Sequence, residues 1–142
     1  MLKRKEHPLS LPAELQSIVG ARELYDWFGY WPDFHDAEVV KLRLDPAAQS
    51  SLVIHTWEMT NRVNEQGHYE LTKHAVVELV LQGISKVDLV DFLEHSILLD
   101  LGVDKTETGF RLSFSAAYGL SGIIEARALS LRVTPGKPSR DV

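Results

Sequence analysis

Polar and apolar positions along this chain change their period once. Between residues 11 and 28 the apolar side chains Leu11, Leu15, Ile18 and Val19, then Leu24, Trp27 and Phe28, recur three and four apart, the spacing of one helix face. Ser10 stands as an N-cap with Pro12 near the first turn, Gly20 interrupts, and Gly29 ahead of Pro32 ends the run. The spacing predicts two short helices, or one kinked helix, with an apolar face made to lie on a sheet.

From Asp36 onward the period is two. Val40, Leu42 and Leu44 alternate with Lys41 and Arg43 as far as the turn at Asp45-Pro46. A second strand is expected over residues 52–59, and a third carries Leu71, Ala75, Val77, Leu79 and Leu81 on one face and closes at Gly83. A short fourth follows over 84–90, a fifth holds Ile97, Leu99, Leu101 and Val103, and a sixth holds Phe110, Leu112, Phe114 and Ala116. The seventh, over 123–133, slips phase near Ala128-Leu129, as a bulge would make it do. The fold class is α+β, with N-terminal short helices packed on a mostly antiparallel sheet of about six to seven strands. Residues 11–134 form the single domain, between a flexible segment 1–10 and a disordered tail 135–142.

Residues facing each other in an antiparallel pair share a face, so phase also predicts register. A first loop at 46–50 sets Leu44 against Leu52, Leu42 against Ile54, Val40 against Thr56 and Glu38 against Glu58. The next hairpin sets Ile54 against Ala75, Leu52 against Val77, His55 against His74 and Trp57 against Thr72. One face then ends in Glu38, Glu58 and Lys73, where the like charges need a cation, a bulge or open water, and Lys73 is the nearest candidate. The other gathers Val39, Lys41, His55, Trp57 and His74. Trp57, with Val53, His55 and Met59 along one side of its strand, is either core beneath a second layer or an exposed recognition stripe.

Composition narrows the function classes. With 142 residues, 44% hydrophobic and 25% charged, the chain is long enough to bury a core as an ordinary soluble domain. Its net charge of −5 argues against a nucleic-acid binder and favours a basic partner. Cysteine is absent, so there is neither a disulfide framework nor a thiolate zinc site. No apolar stretch approaches the roughly 20 residues of a membrane span, and Pro8 and Pro12 break the run a signal peptide needs. A cytoplasmic protein is expected, with no membrane partner.

The densest chemistry lies over residues 29–39, where three aromatics, a proline, an imidazole and three carboxylates meet. Here His35-Asp36 reads as a corner: the Asp caps N–H groups of the turn, the His bonds a neighbouring strand, and Trp31 and Phe34 anchor it. The acids and imidazoles His35, Asp36, Glu38, His55, Glu58 and His74 lack a tight ligand spacing, and the register divides them between faces, so no metal and no other cofactor is expected. Glu38 and Glu58 would make an acid/base pair if they met. No nucleophile elbow, phosphate-binding loop or dinucleotide fingerprint accompanies them, and the expectation is that no residue is catalytic.

At residues 28–39, Phe-Gly-Tyr-Trp-Pro-Asp-Phe-His-Asp-Ala-Glu-Val, continued by Leu52 to Trp57, the chain resembles family fifty of the polymorphic-toxin immunity proteins. Phe34-His35-Asp36 is the sharpest part of the match, which covers roughly residues 15 to 133. The resemblance implies a bacterial, non-enzymatic α+β protein that binds and neutralises a cognate toxin, and it carries over no catalytic residue. Two other readings stay open. One is a small-molecule binder or enzyme with its pocket at the Phe34 to Glu38 corner, bordered by Glu58 and Lys73. The other is a homodimeric module pairing an exposed strand edge or the Val53-His55-Trp57 stripe. The candidate contact residues are Trp31, Phe34, His35, Asp36, Glu38, His55, Trp57, Glu58, Lys73 and His74.

Overall fold

Strand alternation closes on itself in this protein. The computed structural model describes residues 11–139, and their sheet is a closed antiparallel barrel of six strands. These are β1 (Glu38–Arg43), β2 (Gln49–Val63), β3 (Tyr69–Val90), β4 (Ile97–Lys105), β5 (Phe110–Tyr118) and β6 (Ser121–Pro135), in the order β1-β2-β3-β6-β5-β4. Two three-strand meanders are therefore joined by β3 against β6 and by β4 against β1. Leu52, Ile54, Val77, Leu79, Leu81, Leu98, Leu112 and Ile124 fill the interior and are almost wholly buried.

The helical stretch is shorter than its periodicity predicts. It consists of a 3-10 turn (Ala13–Leu15) and one α-helix, α1 (Ala21–Phe28), which send Leu15, Leu24 and Phe28 into the barrel core together with Leu11 and Ile18. Gly20 separates them at φ +91°, beside β6: the Val19 carbonyl accepts the Leu131 N–H at 2.7 Å, and a Cβ on Gly20 would collide with the Leu131 carbonyl oxygen. The expected N-cap at Ser10 lies outside the described residues.

The expected third and fourth strands are one. Gly83 does not end β3 but bends it, taking φ +70° with the Arg127 side chain of β6 directly against it, and pairing with β6 resumes at Ile84. Both strands shift phase there. Ala126 and Leu129 are buried while Arg127 and Ala128 between them are exposed, which is the slip seen in the sequence, and the register itself shifts on β3 between Ile84 and Lys86.

Register differs from expectation by two residues at Leu42 in the first hairpin and along Leu52 to His55 in the second, and by three at Val39 and Glu38, beyond a bulge in β1. Leu42 faces Leu52, Val39 faces Ile54 and Glu38 faces His55, while in the second hairpin Leu52 faces Leu79, Ile54 faces Val77 and His55 faces Val76. A slip of two keeps every side chain on its side of the sheet, so alternation cannot distinguish the two pairings. Two bulges complete the difference. The register shifts between Val39 and Lys41, which puts Val39 and Leu42 against the core and leaves Val40 and Leu44 exposed. It shifts again where Thr56 faces Ala75 but Glu58 faces Thr72, with Lys73 as the extra residue at φ +53°. That bulge turns Leu71 outward, away from the face it would share with Ala75 and Val77.

β6 continues to Pro135, opposite Ala75, and the Gly136 N–H donates to the His74 carbonyl at 2.7 Å. The start of the expected tail is thus tied to β3. Residues 1–10 and 140–142 lie outside the described part of the chain.

Candidate functional site

With Leu52, Ile54 and Thr56 pointing inward, alternation sends Val53, His55, Trp57 and Met59 of β2 to the outside of the barrel. From β3 the same outer face receives Val76, His74 and Leu71. Among the described residues no second layer of strands or helices covers them, and Lys137, just beyond β6, lies beside His55 and His74. Met59 and Leu71 face each other at 51% and 40% exposure, and Val63 opposite Tyr69 continues toward the hairpin tip, both also exposed.

At the base of this stripe three rings pack together. His55 and His74 stack with centroids 5.2 Å apart and planes 24° from parallel, while Trp57 lies 4.9 Å from the first ring and 6.0 Å from the second. His55 Nε2 and His74 Nδ1 are 3.0 Å apart, a hydrogen bond in which one nitrogen must carry a proton and the other must not. On the far side of His55, Glu38 Oε1 stands 3.9 Å from Nδ1. The three groups form a row, Glu38 to His55 to His74, on three adjacent strands.

Burial lowers the pKa of both imidazoles. For His55, only 6% exposed, loss of water is the largest cause, the Glu38 carboxylate opposes it, and the positive charges of His74 and Lys137 reinforce it. For His74, burial again comes first and Lys137 adds to it, while a hydrogen bond to the Leu71 carbonyl and the charge of Glu38 act the other way. In both rings burial favours the neutral form. Among the described residues no three His, Asp or Glu side chains converge as a metal-ligand set.

The corner at residues 33–37 is built differently. Phe34 and Asp36 occupy left-handed backbone at φ +62° and +66°, and Phe34 and Ala37 are buried, with the Trp31 ring edge-on to Phe34 at 6.3 Å. Asp33, not Asp36, caps the turn: its Oδ1 accepts the His35 N–H at 3.0 Å. His35 Nδ1 donates to the Leu99 carbonyl of β4 at 3.0 Å, and its Nε2 is 3.6 Å from the Asp36 carboxylate. The Asp36 N–H donates to the Leu98 carbonyl at 2.9 Å. Together these bonds lay the corner along β4.

Glu38 and Glu58, expected opposite each other, are not, because the register shift and the bulge at Val40 carry Glu38 to His55. Glu58 instead pairs with Lys73, Oε2 to Nζ 3.3 Å. Lys73 also donates to the Phe28 carbonyl at the end of α1, and its own carbonyl accepts the Trp27 indole N–H at 2.9 Å. Glu58 and Lys73 thus moor the helix to the β3 bulge. The ten sequence candidates divide three ways: Glu38, His55, Trp57 and His74 on the hairpin face, Trp31, Phe34, His35 and Asp36 in the corner, Glu58 and Lys73 at the helix mooring.

Sequence reasoning missed Leu71, Tyr69 and Lys137 as neighbours of the hairpin face. Leu71 was hidden by the Lys73 bulge, for which a positive φ at lysine leaves no sequence signal. Tyr69 stands two residues before Leu71 and was legible once Leu71 was placed. The fold and this site together define a six-stranded antiparallel barrel with a helical cap and an aromatic, imidazole-bearing outer face. Compared with protein-family models, curated proteins and solved structures, the chain matches none. Among the described residues, no helix is long and apolar enough to cross a membrane.

Proposed function

We propose that the protein is a non-enzymatic binding protein of the immunity type, cytoplasmic and bacterial, that grips a basic protein toxin on the outer face of the β2–β3 hairpin. The observation that carries this reading is the row of half-exposed apolar and aromatic side chains, Trp57, Met59, Leu71 and Tyr69, on a sheet face with no second layer above it among the described residues. Such side chains dominate binding energy at protein interfaces, and a partner that covers them removes the cost of leaving them in water. The net charge of −5 supports a basic partner through faster encounter. The resemblance at Phe34-His35-Asp36 supports the immunity class. The pocket reading of the same corner has less support, because Phe34 is buried and His35 and Asp36 are engaged with β4.

The test is co-expression with the product of the adjacent gene, followed by size-exclusion chromatography and titration calorimetry. The expected result is a one-to-one complex that Trp57→Ala weakens by about 2 kcal/mol or more, the loss of one hot spot, with the melting temperature of the free protein little changed. No complex, or one indifferent to Trp57→Ala and Met59→Glu, overturns it.

A further inference from the structure

The barrel is held shut on its β1–β4 side by few bonds. Glu38 faces Ile97, the Val39 N–H donates to the Ser96 carbonyl at 2.9 Å, and the Leu98 N–H donates to the Ala37 carbonyl at 2.9 Å. Beyond Val39, among the described residues, β1 makes no backbone hydrogen bond on its β4 side. A cleft of about 450 Å³ opens there instead, between Val40 and Lys41 on one wall and Phe92, Leu93 and Glu94 on the other.

That second wall is fixed. The buried Ser96 hydroxyl donates to the Leu93 carbonyl at 2.8 Å and accepts the Leu120 N–H at 3.1 Å, and Asp91 and His95 hold left-handed backbone at φ +54° and +63°. Phe92 and Leu93 are nevertheless 58% and 45% exposed. Along the first wall Lys41 and Arg43 are exposed, and neither makes an ion pair among the described residues. Free N–H and C=O groups, an apolar shelf and two alternate cations therefore share one short edge.

A bulge and basic side chains are how proteins keep an edge from pairing with its own kind. A second copy laid along β1 sets Lys41 and Arg43 among the same cations, which is unfavourable. An extended segment with a carboxylate at every second position turns the same charges into attraction. We propose that the Val40–Leu44 edge receives an extended segment of another protein, added as a strand beside β1, with Asp or Glu side chains against Lys41 and Arg43 and an apolar side chain on Phe92 and Leu93. Glu38 and Glu94 at the other end of the cleft require a neutral or basic residue there. This site is on the opposite side of β1 from the hairpin face and does not depend on the toxin-binding reading.

The experiment uses isotopically labelled full-length protein and an acetylated octapeptide of alternating glutamate and valine, followed by amide chemical shifts and hydrogen exchange. Shifts confined to residues 38–44 and 92–97, slowed exchange over 40–43, and a roughly tenfold loss of affinity in the Lys41→Glu/Arg43→Glu variant are expected, two exposed ion pairs being lost. The same peptide with alternate amides N-methylated should not bind, since the ladder bonds are removed while the side chains stay. Equal binding by a lysine and valine peptide or by the methylated one overturns the proposal. So do shifts elsewhere, silence at millimolar peptide, or slowed exchange over 40–43 in a dimer without peptide.

Discussion

His55 and His74 stand two residues off direct register, since His55 faces Val76, yet their ring nitrogens meet at 3.0 Å across the strands. The diagonal contact needs one bare nitrogen. Double protonation would set two N–H groups and two charges against each other, beside Lys137 and against Trp57.

Stability should follow from that in a defined sense. Both pKa values are lowered in the fold from 6.5, so as pH falls through 6.5 the unfolded chain takes up protons first and the folded state loses ground. Above about pH 7 the contribution is fully present. Melting temperatures measured from pH 8 to pH 5 should be flat, then decline, and His55→Gln with His74→Gln should flatten the decline. A wild-type slope surviving in the double variant would refute the link.

Two glycines separate backbone strain from crowding. Gly29 at φ +83° ends α1 with open space around it, so Gly29→Ala should cost about 1 kcal/mol, the left-handed penalty alone. Gly20→Ala adds a collision with the Leu131 carbonyl and should cost clearly more, about 3 kcal/mol, since the turn must leave β6. Urea titrations of the pair decide it, and equal losses would mean that Gly20 is not a contact point.

In the corner, Phe34→Ala should lower stability by about 3 kcal/mol through the cavity, and His35→Ala by about 1 kcal/mol through the lost bond to Leu99. Asp36→Gly should be tolerated and Asp36→Val should not, because only the first suits φ +66°. If all of these melt like the wild type, the corner is recognition surface and not scaffold.

Alternation made the lining of the barrel legible: Leu52, Ile54, Val77 and Leu79 lie where a period of two puts them. Closure was not legible, because the pairings that make it, Glu38 with Ile97 and Ala75 with Pro135, join residues about sixty apart that no local pattern links. The residues of the imidazole row could be gathered from phase even though the register was off by two, because long rings reach diagonal neighbours. Leu71 and Val40 went to the wrong face for one reason: a bulge costs one residue, and one residue inverts everything beyond it.

β3 pairs with β2 before it and with β6 at the far end of the chain, so it belongs to both halves of the protein at once. Parting the two meanders means breaking the whole β3–β6 ladder. Assembly must therefore wait for a distant encounter, slow by the standards of helical proteins, and melting should be a single cooperative event with no half-barrel along the way.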